Sequence, residues 1–336
     1  MSRYRSDDDG QGGQGGKDGA KPQVQSRFQE PTPQPNWPAN HVDLHTHSDR
    51  SDGVLPPADL YRQMTSVGLE IAALADHDTL AGYRLLRDQI ATGTLALGPR
   101  VICATEINSV ADRSLVELGI ELEEGELHIL GYGVDADDGS FEAKLEGQRN
   151  ARQTRLLLMI ERLRELGVPI DDQIAPALAS DEAVGRPHVA RAMVAAGHVD
   201  TVQQAFDEWI DRNGPAYVPR QGLRSREAID AIIAAGGIPV LAHYPAAPEQ
   251  PTLISLLMEW GVRGVEVYYR KFTPQTVSAM ADLATRLGLL ATGGSDYHGD
   301  TMSYAEAMQT TYVPLDAGER LLAALGANGV RAASVP

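Results

Sequence analysis

Short polar segments carry the residues that can do chemistry. His45 and His47 stand in Asp43-Leu44-His45-Thr46-His47, where strand alternation puts both imidazoles on one face. Two neutral imidazoles on one face are half of a first-row metal site, and the polar loop Ser48-Asp49-Arg50-Ser51-Asp52-Gly53 lets Asp52 fold back to add an oxygen ligand. A lone His-x-His is more often a chance pair than a ligand pair. Here the pattern recurs. Asp76-His77-Asp78 closes the apolar run 71–75, Glu106 closes 101–104, His128 sits inside 127–130, and His243 closes 238–242. Ser295-Asp296-Tyr297-His298 then follows the flexible pair Gly293-Gly294. Imidazoles and carboxylates at the ends of successive strands, where α/β barrels build their active sites, point to a metal centre.

The elements that must position these groups alternate in type. The runs 71–75, 101–104, 127–130, 238–242, 265–268 and 289–291 read as buried strands. Leu60, Met64 and Val67 mark one helical stripe, and Thr79 can cap a helix through Leu85 and Leu86. Such alternation predicts an α/β fold of parallel strands under covering helices, either a barrel or an open sheet. Residues 141–225 break the rhythm, with helical pattern over 141–166, 187–197 and 202–210. They read as an all-helical insertion between a first barrel part, 39–140, and a second, 226–336. Residues 1–38, rich in Gly, Gln, Asp and Pro, offer too little apolar surface to offset their ordering entropy and read as a disordered tail.

Composition excludes several partners. The chain has 46 Asp+Glu against 29 Lys+Arg, a net charge of −17, and the charges of residues 1–40 cancel, so the surplus belongs to the rest. Such a surface repels long nucleic acid and anionic lipid, though it allows a small anion in a locally cationic pocket. No run approaches the roughly 18–20 apolar residues that span a bilayer, and Met1-Ser2-Arg3-Tyr4-Arg5 opens no apolar leader, so a soluble cytoplasmic protein is expected. The lone Cys103 forbids an intrachain disulfide and reads as a small buried hydrophobe in Val101-Ile102-Cys103-Ala104.

The ordered set His45-Thr46-His47-Ser48, Ser51-Asp52-Gly53, Asp76-His77-Asp78, Glu106, His128, Ala242-His243 and Gly294-Ser295-Asp296-Tyr297-His298 closely resembles the motifs of the polymerase and histidinol phosphatase (PHP) superfamily of metal-dependent phosphoesterases. The likeness runs from about residue 41 to 312. Gly185-Arg186-Pro187-His188 and Tyr217-Val218-Pro219 are similar to the branch that dephosphorylates nucleoside 3′,5′-bisphosphates and trims short RNA from its 5′ end. The resemblance implies a distorted (β/α)7 barrel with a helical insertion. It also implies three divalent ions, manganese by preference and iron or zinc as alternatives. His45, His47, Glu106 and Asp296 would hold the first; Glu106, His128 and His243 the second; Asp52, His77 and His298 the third. Asp52, His77, Glu106 and Asp296 are the catalytic candidates. Three divalent ions against three carboxylates leave a cluster of about +3, suited to a phosphate dianion.

In the resembling branch, basic residues of the first insertion helix and of the Gly-Arg-Pro-His segment hold a substrate phosphate, which here implies Arg152, Arg155, Arg186 and His188. The plain alternative for the stripe Arg149, Arg152, Arg155 is a solvated face paired with Glu142, Glu146 and Glu161. Asp76 and Asp78 either orient ligands or serve as turn and cap residues. Glu121–Glu126 reads as a solvated hairpin loop, with extra metal ligands as the alternative, Tyr268 and Tyr269 as strand surface, with stacking on a base as the alternative, and His198 as a helix C-terminal cation. His41 lies outside the motifs, and Tyr244-Pro245 stands where many relatives of the branch begin a loop with Pro-Gly. The expected reaction is removal of the 3′-phosphate of a nucleoside 3′,5′-bisphosphate by a metal-bridging hydroxide. Alternatives are 5′→3′ exoribonuclease action on short 5′-phosphorylated RNA, histidinol-phosphate phosphatase, and a catalytically decayed nucleotide-binding regulator, which the unbroken ligand set disfavours.

Overall fold

The computed structural model describes Gln29 and residues 40–120, 122, 125–180 and 183–327; the tail expected to be disordered lies, Gln29 apart, outside them. Seven strands form one sheet in chain order: β1 Val42–Thr46, β2 Ile71–Leu74, β3 Arg100–Val110, β4 Glu126–Tyr132, β5 Ile238–Leu241, β6 Gly264–Tyr269 and β7 Leu290–Gly294. A parallel bridge between Thr46 and Tyr297 brings the end of the sheet back to its start, so the barrel is nearly closed.

The alternation predicted parallel strands throughout, and one strand departs from that. β4 runs antiparallel to both β3 and β5. The link from Val110 to Glu126 holds one five-residue helix, α3 (Arg113–Glu117), after α1 (Pro57–Ser66) and α2 (Ala81–Ala91). A parallel return needs a crossover to the far end of the sheet, and this link instead turns back at the rim. His128, near the start of β4, therefore faces Asn108, near the end of β3. A reversed strand puts its first residues where its neighbours put their last.

Between β4 and β5 come α4 (Gly139–Glu165), α5 (Asp171–Leu178), α6 (Arg186–Ala195), α7 (Val202–Ala205) with a π-helical turn Phe206–Ile210, and α8 (Ser225–Ala234). The sequence pattern does not mark α5, whose interior Pro176 disguises it. After β5 come α9 (Pro251–Trp260), α10 (Pro274–Leu287), α11 (Tyr304–Gln309) and α12 (Leu315–Ala327).

One apolar cluster joins Val42, Ala73, Ile102, Leu130 and Val240 of the strands to Leu321 and Leu325 of α12. A larger one packs the other strand faces, with Leu74, Ile129 and Val265, against Leu60, Leu86, Ile229 and Leu257 of the outer helices. A third is confined to the insertion, where Leu156, Met159 and Leu163 of α4 pack with Ile174, Val189, Met193 and Ile210. Helix α4 spans two cores, because its first turns place Phe141 and Leu145 in the larger cluster.

Candidate metal centre

Strand ends deliver the polar groups to one rim. Glu106, 1% exposed on β3, stands at the middle. Its Oε2 lies 3.1 Å from His45 Nε2, 3.3 Å from His47 Nε2 and 3.3 Å from His77 Nδ1, while Oε1 lies 2.6 Å from His128 Nδ1 and 2.9 Å from His243 Nε2. Asp296 Oδ1 adds 3.2 Å to His47 and 3.6 Å to His45. Asp52 reaches His298 Nε2 at 3.2 Å and His77 Nε2 at 3.6 Å. Three groups among the described residues could each hold a metal ion: His45, His47, Glu106 and Asp296; Glu106, His128 and His243; and His47, Asp52, His77 and His298. His47 stands in two of them.

The donor set fits metal ions on its own evidence. Both ring nitrogens of His47, Nδ1 of His77 and Oδ1 of Asp52 are buried without a hydrogen-bond partner, a cost that buried polar atoms rarely carry unless a ligand satisfies them. The only non-glycine residues with positive φ among those described are Asp78 (52°), His243 (23°) and Asp296 (49°), all at strand ends on this rim. Such strain persists where surrounding structure imposes it, and it clusters at functional sites. Titration follows the same crowding. Burial opposes charge on every group here. It is outweighed at Asp52, Glu106 and Asp296, which neighbouring imidazoles hold well below the usual carboxylate range. It is also outweighed at His47, raised to about 10 by Asp296 and Glu106, whereas at His77 burial wins and the ring falls to about 3.

A further carboxylate lies behind the site. Glu266 of β6, 0% exposed, has Oε1 3.0 Å from His45 Nδ1 and accepts the backbone N–H of His243 at 2.8 Å. It fixes which nitrogen of His45 faces Glu106, the service a carboxylate gives a metal-binding histidine. Sequence reasoning passed over Glu266. Its signal was an acid inside the apolar run Val265-Glu266-Val267, where strand alternation turns it away from both valines. Asp76 accepts from Ser48 N at 2.6 Å, Ser48 Oγ at 2.7 Å and Ser51 Oγ at 3.0 Å, so it tethers the loop that carries Asp52. Asp78 pairs with Arg152 Nε at 2.5 Å and Arg220 at 3.0 Å, and positions arginines rather than imidazoles.

Above the metal groups opens a cleft of about 360 Å³ whose far wall is the insertion, lined by Arg152, Arg155, Arg186, Arg220 and Phe206. Arg152 also donates to Asn108 Oδ1 at 3.0 Å, and Asn108 Nδ2 lies 2.8 Å from His128 Nε2. Arg155 donates to the Val218 carbonyl at 2.7 Å, while its Nη2 is buried without a partner. Burial and the nearby Arg152 press Arg220 down to about 10. Arg149 takes the plain role, pairing with Glu142 at 2.7 Å. His188 lies outside the cleft lining, with Nδ1 accepting the Gly185 N–H at 3.1 Å.

Glu126 is not solvated: it begins β4, is 8% exposed, lines the cleft and lies 3.6 Å from Arg155; residues 121, 123 and 124 of that segment lie outside the described residues. Tyr269 is buried, not strand surface, because the register shifts between Glu266 and Tyr268 and turns its hydroxyl to donate to Asp296 Oδ2 at 2.8 Å. His198 follows the C-terminus of α6, where its backbone N–H bonds the Met193 carbonyl at 3.0 Å and its ring lies 2.7 Å from the carbonyl of Pro169. Arg220 and Lys271, the latter 3.7 Å from Asp296, are cations of the cleft that no sequence spacing had marked.

No protein-family model matches the chain. Over 260 residues it is 32% identical to the 5′-3′ exoribonuclease Rnm of Salmonella typhimurium, covering 76% of this chain and 84% of the relative. Over 270 residues it is 28% identical to a 3′,5′-nucleoside bisphosphate phosphatase of Chromobacterium violaceum, covering 77% and 87%. A solved structure from Bifidobacterium adolescentis, assigned as a metal-dependent phosphoesterase, superposes with a TM-score of 0.71 at 29% identity, over 85% of this chain and 96% of that one. With its seven-stranded barrel and its rim of histidines and carboxylates, the chain belongs to the PHP family of metal-dependent phosphoesterases.

Proposed function

We propose that this hydrolase removes the 3′-phosphate from nucleoside 3′,5′-bisphosphates with three divalent ions, manganese by preference. His45, His47, Glu106 and Asp296 would hold the first ion, Glu106, His128 and His243 the second, and Asp52, His77 and His298 the third. Metal ions in such a site lower the pKa of bound water and offset charge on the transferring phosphoryl group. The chain's own part is positional. Glu266 aims His45, Asp76 holds the Asp52 loop, and Tyr269 anchors Asp296. The second phosphate would lie against the insertion, gripped by Arg155 through its unpartnered Nη2, with Arg152 and Arg220 behind it. The observation that carries the reading is the convergence, in a chain of net charge −17, of four arginines on the cleft that the metal-binding groups floor.

Higher identity to the exoribonuclease favours a second reading, in which the same cleft takes the 5′ end of a short RNA. Manganese-loaded protein is to be offered adenosine 3′,5′-bisphosphate, a 5′-phosphorylated trinucleotide and histidinol phosphate. Inorganic phosphate from the bisphosphate at the highest kcat/KM supports the first reading, and mononucleotide from the trinucleotide supports the second. Hydrolysis of histidinol phosphate alone would refute both.

A further inference from the structure

The arginine wall has one sector of different character. Leu156, Val184, Pro187 and Phe206 line the cleft beside the guanidinium of Arg186. That guanidinium lies over the Phe206 ring, 5.5 Å from its centroid, and Nη1 of Arg186 is 2.9 Å from Asp211 Oδ1. Phe206 and Asp211 are tied by backbone as well. Phe206 opens the π-helical turn, and its carbonyl accepts the N–H of Asp211 at 3.1 Å, five residues on. The wider turn thus sets Asp211 where its carboxylate holds the Arg186 guanidinium over the ring. π-turns of this kind are rare and occur mostly at functional sites. Asp211 occupies one edge of the Arg186 guanidinium, and its plane remains available. Flat, partly exposed guanidinium and phenyl faces beside a phosphate-sized cluster of arginines are what a nucleobase stacks on.

We infer that Phe206 and Arg186, pinned by Asp211, form a nucleobase platform that stacks the base of the substrate while its phosphates lie on the metal groups and on Arg155. The inference rests on the nucleotide reading above and gives Arg186 a role other than the phosphate contact expected of it. Stacking uses the face that every base has, so the platform accepts all four bases and supplies affinity rather than base choice.

The test compares wild-type, Phe206→Leu and Phe206→Trp proteins, since leucine keeps apolar packing with the insertion core but has no ring. The substrates are adenosine 3′,5′-bisphosphate and its base-free counterpart, 1,4-anhydroribitol 3,5-bisphosphate. For the leucine variant, KM for the adenosine compound should rise roughly ten-fold or more at near-constant kcat, as the loss of one stacking contact gives. KM for the base-free compound should not move, and the tryptophan variant should match wild type. Equal KM rises for both compounds, or none for either, would overturn the platform. Should wild type release phosphate from neither compound, the bisphosphate reading fails. Calorimetric titration with adenosine 5′-monophosphate then decides the platform separately: ten-fold weaker binding by the leucine variant sustains it, and unchanged binding overturns it.

Discussion

Replacing Glu266 by glutamine tests whether the metal groups depend on the buried carboxylate behind them. Two N–H groups converge on Glu266 when His45 is protonated on Nδ1: that ring N–H at 3.0 Å and the backbone N–H of His243 at 2.8 Å. This tautomer leaves the Nε2 lone pair directed to Glu106 and Asp296, where an ion would sit. Glutamine is nearly isosteric but has one acceptor and one donor. With its oxygen on His243, its NH2 faces His45 Nδ1 and drives the proton to Nε2, which removes the lone pair from the site. Turned the other way, its NH2 opposes the His243 N–H. Either arrangement loses one charge-assisted hydrogen bond, about 1.5–3 kcal/mol. That corresponds to the 10–100-fold loss of metal affinity typical when such a supporting group is changed. Manganese titration of phosphatase activity, with metal content measured after dialysis, reads the shift, and excess manganese should restore much of kcat. A natively folded Glu266→Gln protein that binds manganese within about two-fold of wild type would show that the metal groups do not depend on this carboxylate.

Metal binding should release protons at pH 7. Glu266 and Glu106 hold His45 well above its usual value against the pull of burial, and His47 lies at about 10, so both rings are protonated in the metal-free protein and must be neutral to bind. His77, at about 3, has no proton to give. Metal affinity should therefore climb as pH rises toward 10, and calorimetry in buffers of different ionisation enthalpy counts the protons; no release at pH 7 would contradict this. Asp78→Ala should destabilise the metal-free protein by about 3–5 kcal/mol in urea unfolding, because it leaves Arg152 and Arg220 buried without their carboxylate. Those arginines lower the Asp78 pKa against the effect of burial, so its contribution is complete above the unfolded value near 4 and is lost as pH falls through the lower folded one. Manganese at a hundred times its dissociation constant should add about 2.7 kcal/mol per site to stability, and a chelator should reverse the rise in melting temperature.

The barrel and its rim were legible because their signals are local. A histidine that ends an apolar run announces a strand end, as His77 and His243 do, whereas β3 runs on past Glu106 to Val110. What escaped depends on partners distant in sequence. The reversal of β4 lies in its pairing with β3 and β5, not in the pattern of β4 itself. Tyr269 reached Asp296 through a register shift that alternation does not foresee. Arg220 enters the cleft because Asp78, 142 residues earlier, accepts its guanidinium. Pro176 hid α5, since an internal proline reads as a loop when no tertiary packing is in view.

Reversal of β4 also governs how the molecule can change. Its chain leaves the sheet at the end opposite the metal groups, so α4 must climb the full height of the barrel, and its 27 residues span about 40 Å. The helix is a mast footed in one core by Phe141 and Leu145 and topped in another by Met159 and Leu163, with Arg152 and Arg155 between. Rotation by one residue about its axis, or exchange of the side chains it carries, would redraw the substrate wall and leave the ligands of the barrel rim in place. The substrate wall and the metal-binding rim thus stand on different elements, one helix and the strands.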